Sequence, residues 1–203
     1  MKPNIEKFQH KKELSPAEKE ILENLHKIPI VDYQKKNLIL VWRKLKRGSD
    51  FSVKGDVDEK EVLEILKKAG LFAKFVPTRV SGYKDCYFAQ SEEDVDTLIR
   101  LDDEHDQTDA MIQLGKVYSF PDTSIAGYIS SDGEGKEGFM LSLKEESEKI
   151  PAELKPFLAF RLSKDHWREE MEIGKKWAEE IKFVDPELYR RIIDKSQNMV
   201  RAH

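Results

Sequence analysis

The chain has 203 residues, with 39% apolar and 36% charged, which allows one large domain or two small ones and excludes disorder throughout. Its net charge of −4 is uneven, because residues 1–55 hold 13 Lys/Arg against 7 Asp/Glu and the remainder 22 against 32. A single cysteine, Cys86, excludes an internal disulfide and a cysteine zinc site. The N-terminal stretch has no signal-type apolar run, and no segment reaches the ~18 apolar residues of a membrane helix, so a cytoplasmic chain outside any membrane is expected.

Taken in order, Ser15-Pro16-Ala17-Glu18 is a helix start with a capping box, and Pro29 ends that helix. Asp32 is expected to cap a second helix, roughly Tyr33 to Arg47, closed by Gly48. Its interior is apolar almost all round and then strongly basic; a buried strand over Leu38–Trp42 is the alternative. Asp58 with Glu61 opens a third helix, which ends at Gly70. Two aromatic-rich runs, Leu71–Val76 and Asp85–Ala89, flank Val80-Ser81-Gly82 as a hairpin would.

Ser91 opens the next helix, and Pro121 starts another whose Ile125 and Ile129 reach the core. Three glycines between Gly133 and Gly138 make a surface loop without the Lys-Ser/Thr ending of a phosphate loop. Phe139–Leu143 is a strand or a helix start. Phe157–Leu162 is expected as a buried strand, with Ser163 capping a helix from Lys164 to about Lys182. Asp185-Pro186 starts the last one. A boundary near 52–57 would separate a basic helical segment, 1–55, from an α+β body, 56–203; one continuous core is the alternative. The expected fold is α+β, helix-dominated, with helices packed on a small, mostly antiparallel sheet.

Three constellations bear on chemistry. On a helix across 101–110, Asp102, His105, Asp106 and Asp109 share one face, and a second helix carrying His166 and Glu170 completes a ligand set for a divalent ion, the one cofactor considered. A bound ion would activate water for hydrolysis. Against this, acidic runs usually make a solvated face. The second is Lys35, Lys36, Trp42, Arg43, Lys44, Lys46 and Arg47, where cations suit phosphates and Trp42 an unpaired base; the pI of about 5.8 argues against a dedicated nucleic-acid binder. The third, Cys86 as a nucleophile with His105 or His166, conflicts with its strand-like apolar surroundings.

Leu114-Gly115-Lys116-Val117-Tyr118-Ser119-Phe120-Pro121, followed by Tyr128, resembles a pattern in small uncharacterised archaeal and bacterial proteins. That pattern reads Leu-Gly-x-x-x-Gly-Tyr/Phe-Pro, often followed by paired cysteines and an aromatic residue. Leu162 through Glu170 is similar to the C-terminal part of such proteins. Ser119 stands where their second glycine would be, and Thr123-Ser124 where the cysteines would be. The family has no established activity, so the resemblance implies no reaction.

No complete catalytic set assembles from these residues. The expected role is therefore non-catalytic: a binding or regulatory module with a macromolecular partner, protein or nucleic acid. A metal-dependent hydrolase is the alternative.

Overall fold

In the computed structural model, which describes residues 13–78, 80, 82–104, 107–130 and 139–201, helix α2 (Asp32–Trp42) lies between two cores. Its Leu38 and Val41 join α1 (Pro16–Lys27), α3 (Glu59–Lys68) and the sheet residues Phe51, Val53, Cys86 and Phe88. Its Ile39 and Leu40 face Trp177 and Ile181 of α8 (Trp167–Val184) and Leu188 of α9 (Pro186–Arg201). A helix buried on both sides has no use for a polar stripe, which is why its sequence shows so little periodicity.

The sheet has order β1-β3-β2, with β1 (Gly48–Lys54) and β2 (Phe72–Pro77) each antiparallel to β3 (Tyr83–Ala89). Gly82, at φ 84, turns the expected β2–β3 hairpin, though Ser81 lies outside the described residues. The face opposite α1–α3 packs on α4 (Glu92–Asp103) and α5 (Thr108–Val117) through Tyr87, Ala89, Val95, Leu98 and Val117. The fold is helix-dominated α+β with a small antiparallel sheet, as expected. β1, at the end of the N-terminal basic segment, pairs along its whole length with β3.

Three helices end in the same hydrogen-bonded turn, with different residues at its left-handed position. After α3, Gly70 (φ 74) gives its N–H to Lys67 and Leu71 gives its own to Leu66, a Schellman motif with the expected glycine. After α2 the position is Lys44 (φ 62), with Lys44 N–H on Val41 and Leu45 N–H on Leu40. After α5 it is Ser119 (φ 61), with Ser119 N–H on Lys116 and Phe120 N–H on Gly115. Helix α2 therefore stops at Trp42 and not at Arg47, and Gly48 begins β1 instead of closing the helix. Asp32 is not its cap either: Val31 is, and Asp32 accepts from Arg191 (3.3 Å) and Lys195 (2.7 Å) of α9. Lys44→Gly is expected to stabilise the fold by roughly 0.5 kcal/mol, because the ~1–2 kcal/mol left-handed strain exceeds the ~0.5–1 kcal/mol entropic cost of glycine. Urea midpoints of the two proteins check it.

The C-terminal half departs from expectation at Phe157–Leu162. A 3₁₀ turn (Lys155–Phe157) leads into an extended strap without a strand partner until Met140 bridges Ser163. Ser163 does not cap α8, whose N-cap is His166. Instead its N–H and hydroxyl both bond to Glu170, each at 2.7 Å. Ser142 caps α7 (Leu143–Lys149) with a capping box. In α6 (Asp122–Ser130), Ile125 is buried and Ile129 half-buried. The glycines at 133–138 lie outside the described residues.

Candidate ligand-binding site

Two of these turns meet and build a pocket. Beyond Lys44 the chain doubles back, and Lys46 lies against its own helix with Nζ 3.4 Å from Asn37 Oδ1. The Arg47 N–H donates to Ser119 Oγ at 2.9 Å, tying the α2 turn to the α5 turn. Between them is a cavity of about 340 Å3 lined by Tyr33, Gln34, Asn37, Lys46, Ser49, Asp50, Tyr118, Phe120 and Ala159. Left-handed residues other than glycine persist only where their surroundings hold them, and here Ser119 lies between the cavity-lining Tyr118 and Phe120 and Lys44 two residues before Lys46.

Lys46 is 3% exposed. Rings of Tyr118, Phe120 and Trp177 surround its ammonium at 5.5, 5.9 and 5.4 Å. The long bond to Asn37 is its one hydrogen bond among the described residues. Burial pushes the ammonium down to about 8, against a smaller opposing pull from Asp50. Asp50 accepts the Tyr118 hydroxyl at 2.8 Å. Burial raises the Asp50 carboxyl, and the Tyr118 hydrogen bond and the Lys46 charge only partly offset that. Burial, and then the Asp50 charge, push the Tyr118 phenol up, so it stays a donor.

Lys36 is the useful contrast. It is as buried as Lys46, and burial pushes it down to about 7. Yet its Nζ donates to Pro156 O at 2.6 Å and lies 3.9 Å from the Tyr33 ring centroid, which fastens α2 to the segment before α8. Lys36 has a structural partner. Lys46 has one long hydrogen bond and, in the same cavity, the Asp50 carboxylate, which forms no ion pair with it.

The residues expected to hold a metal do not share one helix. Helix α4 ends at Asp103 and α5 begins at Thr108, with Glu104 and Gln107 as their caps, so the common face across 101–110 is lost. Asp102 accepts the Tyr87 hydroxyl at 2.8 Å, and Asp109 is exposed in the first turn of α5. His105 and Asp106 lie outside the described residues. His166 sits half exposed, 3.0 Å from Glu169. Glu170 is buried and accepts Thr123 Oγ1, Ser163 Oγ and Ser163 N–H. Among the described residues no group of three His, Cys, Asp or Glu is placed to hold an ion.

The basic segment scatters in the same way. Lys36 and Lys46 turn inward, and Trp42 packs against both cores. Arg43 bonds Glu18 (2.8 Å) and Glu180 (2.6 Å), Arg47 pairs with Asp94 (2.5 Å), and Lys35 donates to His26 O (3.0 Å). Lys44 remains exposed. Cys86 is fully buried, and burial pushes its thiol up, away from nucleophilic use. Among the described residues no helix is long and apolar enough to cross a membrane.

Sequence reasoning named Lys46 only as part of a cationic run, and gave Asn37, Asp50 and Tyr118 no role. The usable signals were polar residues in apolar company: Asn37 heading Leu38–Trp42, and Asp50 in a strand, a place aspartate disfavours. Comparison of the chain with protein-family models, with curated proteins and with solved structures found no match.

Proposed function

We propose that the protein binds, without turning it over, a small molecule whose carboxylate seats on Lys46. The observation that carries this is a fully buried ammonium beside a cavity of about 340 Å3 with a single long hydrogen bond. A buried charge without a close partner costs stability, and a ligand anion would supply the partner. The Asn37 amide stands beside the same ammonium. Asp50, with one acceptor site taken by Tyr118, has a second for a hydroxyl or amine on the ligand. Tyr33 and Phe120 line the same cavity. The arrangement matches the usual make-up of small-ligand sites, a few convergent polar groups on aromatic walls with displaced proton affinities. Binding to nucleic acid through residues 35–47 has less support, since most of those cations are already engaged within the chain.

Titration calorimetry with paired ligands, each acid beside its alcohol, tests the proposal. The acids are expected to bind and the alcohols to bind at least tenfold more weakly. Affinity for the acids should fall as pH rises through 8, where Lys46 loses its charge, approaching tenfold per pH unit. Alcohols that bind as well as the acids, or an affinity flat from pH 7 to 9.5, would overturn it.

A further inference from the structure

A second cavity adjoins the first. It has a volume of about 420 Å3 and lies between α5 and α6. Tyr118, Phe120 and Ala159 line both cavities, so the two share a wall. Its other walls are mostly apolar, with Met111, Leu114, Ile125, Ile129 and Met140 beside the polar Ser124, Tyr128 and Arg161. The two helices are pressed together beside it, because a Cβ on Gly115 would fall 2.7 Å from Ile125 Cγ1.

We infer that the ligand is a medium-chain carboxylic acid, with its head on Lys46 and its hydrocarbon tail in the chamber between α5 and α6. This rests on the carboxylate reading of the Lys46 cavity and adds the class of molecule. A mostly apolar chamber that shares a wall with a cavity holding a buried cation fits a molecule that is apolar at one end and anionic at the other. A small polar acid would leave the chamber lining wet. A hydrocarbon without a head would leave the ammonium without its partner. The tail binds by removing apolar surface from water, so each added methylene should tighten binding about fourfold, equivalent to roughly 0.8 kcal/mol.

The test is calorimetry at pH 7 with butanoate, octanoate and octanol on the full chain and on three variants. Octanoate is expected to bind the parent protein roughly two-hundredfold tighter than butanoate, and octanol weakly. Leu114→Trp fills the chamber, so it should bring octanoate down to the butanoate level. Ile129→Trp, at the half-buried edge, does the same if the first variant fails to fold. Lys46→Met should lose both acids. If butanoate and octanoate bind the parent equally, the tail is wrong and the carboxylate site stands. If octanol matches octanoate and Lys46→Met changes nothing, the carboxylate site is wrong and the inference falls with it.

Discussion

Lys46→Met is expected to raise stability at pH 7 by about 2 kcal/mol while abolishing carboxylate binding. Burial lowers the folded Lys46 from 10.5 to about 8, so the folded state binds its proton less well than the unfolded chain does. The sign follows: the penalty is fully present below pH 8, near 3 kcal/mol, and disappears as pH rises from 8 to 10.5. Three ring contacts at the outer edge of cation–π range return roughly 0.5 kcal/mol each, too little to cancel it. Methionine keeps the apolar stem and removes the charge. Urea unfolding at pH 7 and at pH 9.5 should show the parent protein gaining stability with pH and the variant gaining less, with Lys36 responsible for the remainder. A residue whose removal stabilises the fold and destroys binding is one kept for function, as the trade-off between stability and activity leads one to expect. A Lys46→Met protein less stable than its parent would mean that the lysine is structural.

The opposite result is expected at Glu170. Its carboxylate receives Thr123 Oγ1 from α6 and both the hydroxyl and the N–H of Ser163, all at 2.7 Å and out of water. It thereby joins α8, α6 and the strap that bridges Met140 and carries Ala159 and Arg161 along the cavities. Glu170→Ala should cost about 3 kcal/mol. Hydroxyls can rotate to other acceptors, but the buried Ser163 N–H cannot, and each bond to a charged acceptor is worth about 1.5–3 kcal/mol before relief of the buried carboxylate is subtracted. Glu170→Gln keeps an oxygen for the Ser163 N–H and should cost about 1 kcal/mol. Denaturant unfolding of both variants separates the two cases; equal losses would mean that the Ser163 N–H finds another acceptor.

Much of the architecture was legible in the chain because its punctuation is local. Ser15 with Glu18, Asp58, Ser91 and Asp185-Pro186 mark helix starts through hydrogen bonds spanning three residues, and all appear where expected. The hairpin was legible from Gly82 and its aromatic flanks. The misreadings have a physical pattern. A helix end usually announces itself by glycine, as at Gly70, but α2 uses Lys44, whose cost is recovered by docking against the α5 turn. The end was therefore placed at the next glycine, Gly48. Phe157–Leu162 is apolar enough for a strand but, among the described residues, pairs only at its end, where Leu141 N–H donates to Leu162 O, a matter of long-range packing. The Lys46 pocket was hidden for a related reason: a lysine in a basic run is expected in water, and only the reversal at Lys44 turns this one inward. The acidic cluster depends on one helix crossing 101–110, whereas α4 ends at Asp103 and α5 begins at Thr108, with His105 and Asp106 outside the described residues.

The most direct test is an NMR titration of Lys46 in protein carrying 13C-labelled lysine, with Lys46→Met used to assign the resonance. The free protein should show a midpoint near 8, rising by at least one pH unit when octanoate saturates the site. A midpoint at the ordinary lysine value of about 10.4 in the free protein, or one that octanoate leaves in place, would contradict the account of Lys46 as a buried cation that makes no close ion pair until a ligand arrives.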